Sequence, residues 1–258
     1  MFDKTIHRDE FRLRILLTNQ CNKNCHFCLN DFQPKRPAQC VSPMDTVDCL
    51  RAYGTFMKSI KEKSIVTFSG GEPGIHPWLD FILHHAKGYC DVIKVVTNGM
   101  ALNSDRIRYV DCWHVGVTHK DHVVRDFAHH AKDMVVQIVI TEDQPNHQLI
   151  DIIGFYIKAG IKVKLFADFN CEIQKYLQAR IDFFIDHFEE GISTRFTGKQ
   201  ENRGSACAGC EKRCVTLKAL WMFPDGSSST CPQGVVDPFD DDSWDETVEK
   251  AYKAHLYR

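Results

Sequence analysis

Short, continuously apolar runs recur through the first 190 residues, and each is followed by a polar turn and a helical pattern. The runs are rich in β-branched residues and lack strict polar alternation, which is typical of strands in a parallel sheet covered by helices. Six candidate strands result: Leu13–Thr18, Ile65–Phe68, Ile93–Thr97, His114–Thr118, Val135–Ile140 and Lys162–Ala167. Six βα units in succession predict an α/β fold, a partial (β/α)6 barrel of the TIM type.

Helix start and stop signals lie between these runs. Ser42 followed by Pro43, with an acidic residue three positions after the serine, predicts a helix N-terminus. Asn146 precedes another helical pattern, which Gly160 ends. Because ligands of such sheets bind at the C-terminal ends of the strands, residues that directly follow a strand become site candidates.

The pattern changes after a last long helix at about 172–189. A polar, glycine-containing stretch occupies residues 198–206, and Pro224-Asp225-Gly226 between two apolar runs predicts a β-hairpin. Residues 243–258 read as a closing helix. We therefore predict two domains, a barrel over residues 1–190 and a small hairpin-and-helix domain over residues 191–258.

Composition narrows the class of protein. The 258 residues carry a net charge of −2, which provides no basic surface for nucleic acid. The N-terminus is charged rather than apolar, and no apolar stretch approaches the roughly 18 residues of a membrane span. We predict a cytoplasmic protein that binds neither nucleic acid nor membranes.

Twelve cysteines are many for a cytoplasmic chain, and their clustering indicates a metal rather than disulfides. Cys21, Cys25 and Cys28 follow the first strand within eight positions. Their spacing also suits one face of a buried helix, but their polar neighbours argue against that interpretation. Three thiolates suit an iron–sulfur cluster with one open iron, whereas zinc needs a fourth ligand from elsewhere.

A second group of cysteines lies near the C-terminus and comprises Cys207, Cys210, Cys214 and Cys231. The predicted hairpin separates its last two members, so its strands can bring them together. Four thiolates suit either zinc or a second [4Fe–4S] cluster, and the residues alone leave both open.

Three motifs follow one another at the ends of the first three strands. They are C-x3-C-x2-C with Phe27 before its third cysteine, Ser69-Gly70-Gly71-Glu72-Pro73, and Thr97-Asn98-Gly99. Together they resemble the radical S-adenosylmethionine (SAM) superfamily. The resemblance implies that the first three cysteines hold a [4Fe–4S] cluster whose open iron binds SAM. It also implies reductive cleavage of SAM to a 5′-deoxyadenosyl radical, which abstracts a substrate hydrogen.

The same resemblance suggests residues for SAM binding. The backbone of Phe27 would contact the adenine, while Ser69, Gly70 and Gly71 would let backbone approach the methionine moiety. Glu72 would accept a hydrogen bond from the SAM ammonium. Thr97 or Asn98 would reach the methionine or the ribose. No catalytic residue beyond these is assigned.

The second cysteine group resembles the Twitch and SPASM-type extensions of radical SAM enzymes, and its layout is closest to Twitch. This implies one auxiliary [4Fe–4S] cluster. Four available cysteines favour a fully ligated cluster that transfers electrons. They argue against the GTP cyclase of this group, which uses three and leaves one iron free for substrate.

We therefore predict a radical SAM enzyme of the oxidoreductase type that acts on a small molecule such as a sugar, aminocyclitol or nucleoside. A flavodoxin- or ferredoxin-type protein would supply electrons. A peptide-modifying, epimerising or cyclising enzyme is an alternative, and an iron–sulfur electron carrier or zinc-stabilised scaffold is the non-enzymatic one. The polar residues at 119–121, 141–143, 168 and 170 follow strands, which suits either substrate contacts or solvated loops.

Overall fold

The computed structural model describes residues 10–28, 38–168, 171, 174–194, 219–230 and 243–256. The cysteines predicted to hold an auxiliary cluster, Cys207, Cys210, Cys214 and Cys231, lie outside these residues. None of the described helices is both long and apolar enough to cross a membrane.

Nine strands and six α-helices occur in the described residues. The strands are β1 (Arg12–Leu16), β2 (Ile65–Ser69), β3 (Val92–Thr97), β4 (Cys112–Gly116), β5 (Met134–Ile140), β6 (Lys162–Ala167), β7 (Ile192–Thr194), β8 (Ala219–Met222) and β9 (Ser228–Ser229). The helices are α1 (Pro43–Ser59), α2 (Leu79–Tyr89), α3 (His122–Ala128), α4 (Asn146–Lys158), α5 (Gln174–Phe188) and α6 (Trp244–Leu256). All six predicted strands occur, each within two residues of its predicted ends.

The described residues fall into two compact units. The first lies within Met1–Gln20, Arg36–Lys94 and Lys212–Arg258, and the second within Cys21–Lys35 and Val95–Glu211. Compactness groups residues by packing rather than by role. The division into a barrel over 1–190 and an auxiliary domain over 191–258 therefore stays a prediction.

In the first unit, strand order is β2-β1-β8-β9. Strand β1 pairs in parallel with both β2 and β8, while β8 and β9 form the predicted antiparallel hairpin. Gly226 adopts a positive φ of 86° in its turn, a conformation that glycine reaches without a Cβ penalty. The hairpin thus places its first strand beside β1.

Helix α1 begins as its sequence signals predict. The Ser42 side chain accepts a hydrogen bond from the Asp45 N–H, and Pro43 occupies the first helical position. Inside the unit, the buried Tyr53 Oη lies 2.9 Å from Phe11 O and accepts the Ile65 N–H at 3.1 Å. This hydroxyl ties the helix to β2 and to the residue that precedes β1.

In the second unit, strands β4, β5, β6 and β7 pair in parallel in that order. Strand β7 was not among the predicted strands, because its three residues are too short for a periodic pattern. Helix α4 ends before Gly160, whose φ is 73°. The parallel pairing in both units confirms the predicted α/β class.

Candidate functional site

The chain that leads into the first cysteine group is fixed by hydrogen bonds in the first unit. Thr18, two residues after the end of β1, is buried, and its Oγ1 donates to Gln39 O at 2.8 Å. The same oxygen accepts the Gln20 N–H at 3.1 Å. The backbone is therefore held in place up to the residue before Cys21.

The three cysteines of the first group lie in one accessible loop of the second unit. Cys21 is exposed, and Cys25 and Cys28 are half-exposed. The Cys28 N–H donates to Cys25 O at 3.0 Å, and the Lys23 N–H donates to Cys21 Sγ at 3.4 Å. Accessible thiols in a turn exclude the alternative of three core cysteines on a buried helical face. A backbone N–H directed at sulfur suits the negative charge of a thiolate.

Buried cysteines elsewhere behave differently. Burial raises the pKa of Cys49 well above its ordinary value, and burial together with the charge of Asp91 raises that of Cys90 to about 12. Thiols of this kind stay protonated and act as small apolar side chains.

The third predicted motif contacts the cysteine loop. Asn98 Nδ2 donates to Asn22 Oδ1 at 2.7 Å and lies 3.6 Å from Cys21 Sγ. Lys23 Nζ donates to Asn98 O at 3.1 Å. The chain folds in this way because Thr97, itself buried, shapes the turn: its Oγ1 accepts the N–H groups of Gly99 and Ala101. Two of the three motifs are therefore adjacent.

Asn22 and Lys23 thus join the cysteine loop to Asn98, a role that the sequence analysis did not assign to them. Their position inside the cysteine motif was the available signal. Contact of Thr97 or Asn98 with SAM stays a prediction. The half-exposed Phe27 ring lies 5.1 Å from that of His26 in a T-shaped contact. The predicted contact of the Phe27 backbone with adenine also stays a prediction.

The second motif lies in the first unit, against the segment that follows β1. The Leu17 N–H donates to Ser69 O at 2.8 Å, and the Gly71 N–H donates to Thr18 O at 2.6 Å. A Cβ on Gly70 would lie 2.4 Å from Thr18 O, and a Cβ on Gly71 would lie 2.0 Å from Gln20 O. Both glycines are thus required by close backbone packing within the protein. Their predicted approach to the methionine moiety of SAM is a separate matter and stays a prediction.

Glu72 is fully buried directly after these glycines. Its N–H donates to Gln20 O at 2.8 Å, and its Oε1 accepts the Gly74 N–H at 2.8 Å. Burying a carboxylate is costly unless donors face it, so this side chain is committed to accepting hydrogen bonds. That property suits the predicted contact with an ammonium group.

His76 anchors the turn that follows. It is buried, with Nε2 3.0 Å from Val41 O, and its Nδ1 accepts the Trp78 N–H at 3.2 Å. Both contacts require the neutral ring, and burial lowers the pKa of His76.

The described residues contain no group of three or more His, Cys, Asp or Glu side chains close enough together to hold a metal ion. The three thiols share a loop but do not converge on one point. Their chemistry nevertheless fits an iron–sulfur cluster, since each is a potential thiolate and at least one receives N–H donors. Cluster binding requires this loop to gather its sulfurs.

Polar residues after β4 and β5 mainly make contacts within the protein. Lys120 Nζ pairs with Asp151 Oδ2 at 2.5 Å, and Asp121 caps α3 by accepting the Val124 N–H. Thr141 donates to Asp143 at 2.6 Å, which lowers the pKa of that exposed carboxyl. These contacts favour the solvated-loop interpretation for Lys120, Asp121 and Asp143.

A buried arginine, which the sequence analysis missed, organises the loop after β5. Arg180 of α5 is 5% exposed and donates to the carbonyl oxygens of Thr141 and Gln144. Its Nε also donates to Asn146 Oδ1 at 2.9 Å. An arginine within an otherwise amphipathic helix gave no distinguishing signal in the sequence.

Two relatives of known activity are similar to part of this sequence. No family model matches the chain. An S-adenosylmethionine-dependent nucleotide dehydratase of Flammeovirga pacifica is 32% identical over 96 residues, covering 34% of this chain and 30% of the relative. A GTP 3′,8-cyclase of Chlorobaculum tepidum is 29% identical over 93 residues, covering 35% and 26%. The matches thus span less than a third of these relatives' length.

Solved structures match over most of the chain. Streptococcus suis SuiB bound to S-adenosylmethionine has a TM-score of 0.64 at 15% identity, covering 89% of this chain and 62% of SuiB. SuiB bound to the precursor peptide SuiA has a TM-score of 0.67 at 14% identity, covering 97% and 66%. Over about a third of its length the chain is thus similar in sequence to S-adenosylmethionine-dependent enzymes, and its fold is similar to that of SuiB. These relatives are named as enzymes, which supports the prediction that this protein is one. Its Twitch or SPASM-type domain stays a prediction.

Proposed function

We propose that this protein is a radical SAM enzyme, which binds SAM at a [4Fe–4S] cluster held by Cys21, Cys25 and Cys28 and abstracts hydrogen from a small-molecule substrate. The observation that carries the proposal is the accessible three-cysteine loop, contacted at Cys21 by Asn98 of a second superfamily motif. When bound, the cluster supplies the electron that cleaves SAM to methionine and a 5′-deoxyadenosyl radical. The chain's own residues bind, orient and shield the reactants.

The protein's contribution at the cluster is to stabilise charge. The Lys23 N–H and the Asn98 amide both donate toward Cys21 Sγ, so they offset negative charge on that sulfur. On the SAM side, Glu72 accepts hydrogen bonds at a buried position and is proposed to accept one from the SAM ammonium. Ser69, Gly70 and Gly71 form the backbone beside it.

An auxiliary [4Fe–4S] cluster on Cys207, Cys210, Cys214 and Cys231 is the second part of the proposal. Four thiols and the hairpin between the last two in sequence support it. We propose that these four cysteines would hold a cluster able to take up one electron from the substrate radical, which would make the overall reaction an oxidation. A flavodoxin- or ferredoxin-type donor would reduce the first cluster, in a cytoplasmic setting.

The proposed substrate is a nucleotide or a related small molecule, because both curated relatives carry nucleotide activities in their names. A peptide substrate is the second candidate, since the similar SuiB structure is bound to a precursor peptide. The nucleotide class is favoured because those relatives are 32% and 29% identical to this chain, over about a third of its length.

Metal content after anaerobic preparation tests both clusters. We expect about eight irons and eight labile sulfides per chain in the wild type. Triple replacement of Cys21, Cys25 and Cys28 by Ala should leave about four of each, and so should quadruple replacement of the second group. About four irons plus one zinc in the wild type would contradict the auxiliary cluster, and no iron at all would contradict the whole proposal.

A further inference from the structure

The two faces of the sheet formed by β4, β5 and β6 differ in chemistry. One face is apolar and at most 1% exposed, and comprises Trp113, Val115, Val136, Ile138, Val163 and Leu165. The opposite face is mixed. Val135, Val139 and Phe166 are apolar, but the same face carries His114, Gly116, Gln137 and Lys164, all half-exposed. Half-exposed polar side chains on central strands of a parallel sheet are unusual, because both faces of such sheets are normally apolar.

Register places three of these residues in one row. Gly116 pairs with Gln137, and Gln137 pairs with Lys164. His114 lies one step back on the same face of β4, and its Nδ1 is 3.1 Å from Gln137 Nε2. Its Nε2 is 3.5 Å from Cys112 Sγ. The imidazole is thus held at both nitrogens and fixes the orientation of the Gln137 amide.

Gly116 has no conformational need to be glycine, since it is not among the residues with positive φ. Within the described part of the chain, the nearest heavy atom to a Cβ at this position is Thr97 O, at an ordinary 3.7 Å. Gly71, by contrast, would place its Cβ 2.0 Å from a backbone oxygen. Glycine weakens a strand, and it often marks a place where a ligand approaches the backbone closely.

Lys164 supplies the charge of this row. Its Nζ lies 5.6 Å from the centre of the Phe166 ring on the same strand face. An ammonium group next to an amide is a suitable combination for an anionic oxygen group, which accepts charge-assisted hydrogen bonds.

We propose that Gly116 is the floor of a recess that takes an anionic group of the substrate, a phosphate or a carboxylate. Lys164 provides the cation and Gln137 the amide hydrogen bonds, while His114 is a positioning residue for Gln137. The identification of the bound anion as part of the substrate rests on the proposed function, whereas the anion-binding recess itself does not.

Anion binding to the cluster-loaded full chain tests this directly. Calorimetric titration with inorganic pyrophosphate and with glutarate separates phosphate from carboxylate recognition. Lys164→Gln should weaken binding of the preferred anion about tenfold or more, as expected for loss of a charge-assisted hydrogen bond. Lys162→Gln is the matched control, because Lys162 lies on the same strand and face, is exposed and pairs with Asp133 at 3.0 Å. It should bind like the wild type.

The recess itself is tested by adding side chains. Gly116→Leu should weaken binding of the same anion as strongly as Lys164→Gln, and Gly116→Ala should weaken it less at an unchanged Tm. Gly88→Ala, also with open space at its Cβ, should have no effect on binding. The proposal is overturned if neither anion binds the wild type, or if all variants bind with equal affinity.

SAM cleavage without substrate, measured on the same samples, separates the two proposals. It should be unchanged in the control variants Lys162→Gln and Gly88→Ala, neither of which belongs to a proposed site. Absence of cleavage in the wild type would overturn the proposed function, and the anion titration would still decide the recess.

Discussion

Replacing Gly71 by alanine tests how the second motif is built. A Cβ here would lie 2.0 Å from Gln20 O and 2.5 Å from Gln20 C, both of them backbone atoms that no side-chain rotation can move. The two segments must separate by about 1 Å to reach a tolerable contact. The separation lengthens the hydrogen bonds from Gly71 N–H to Thr18 O and from Glu72 N–H to Gln20 O.

The cost follows from these two effects. Forcing one extra methyl group into a packed site costs about 1–3 kcal/mol. Weakening two backbone hydrogen bonds adds up to about 1 kcal/mol each. Together these costs should lower the free energy of unfolding by about 1–5 kcal/mol. At roughly 2–4 °C per kcal/mol for a domain of this size, Tm should fall by about 2–20 °C.

Urea unfolding followed by circular dichroism measures the change, with Gly88→Ala as the control. Gly88 lies in α2 with nothing within 4 Å of its Cβ, so alanine there should be neutral or stabilise by up to about 1 kcal/mol. Equal unfolding midpoints for Gly71→Ala and the wild type would refute the close packing of residues 69–72 on residues 17–20.

Three further replacements test other parts of the structure. The pKa of His76 is lowered, so its contribution to stability is fully present above the unfolded pKa of about 6.5 and is lost as pH falls through the folded value. On acidification to pH 5, Tm should therefore drop less in His76→Gln than in the wild type. Parallel curves of Tm against pH for the two proteins would contradict this. Tyr53→Phe leaves the buried Ile65 N–H without its hydroxyl acceptor and should lower the free energy of urea unfolding by about 1–3 kcal/mol. Tyr176→Phe, at an exposed position, is the control and should be neutral. Equal losses of stability in the two variants would contradict the role of the buried hydroxyl. In Arg180→Lys, the lysine cannot make the three divergent hydrogen bonds of the arginine to the loop after β5. The free energy of unfolding should fall by about 2–4 kcal/mol, and amide hydrogen exchange in that loop should become faster. Unchanged exchange would show that Arg180 does not order the loop.

The strands could be predicted from the sequence because each is a continuous apolar run between turn signals. The helix starting at Pro43 could be predicted because its cap is local, made by residues within three positions of Ser42. Strand β4 was placed two residues too late, because Cys112 and Trp113 did not extend the β-branched run. Strand β7 escaped notice because its pairing with β6 depends on residues far away in sequence.

In the candidate site too, local motifs could be predicted from the sequence and long-range contacts could not. The three motifs were recognisable because their spacing is local, and the resemblance to the radical SAM superfamily rests on them. The contact between Asn98 and the cysteine loop joins residues 77 positions apart, and no local pattern encodes it. The glycines of the second motif were interpreted through SAM alone. Their packing on Thr18 and Gln20 emerged only when the backbone path was known.

Reductive cleavage of SAM is the measurement that tests the central claim most directly. Anaerobic, cluster-loaded protein is mixed with dithionite and SAM, and 5′-deoxyadenosine is quantified by mass spectrometry. We expect 5′-deoxyadenosine from the wild type and from Cys49→Ala, whose thiol is buried away from solvent. None should form from Cys21→Ala, Cys25→Ala or Cys28→Ala. Undiminished 5′-deoxyadenosine from any of these three, or none from a wild type that contains its iron, would contradict the account.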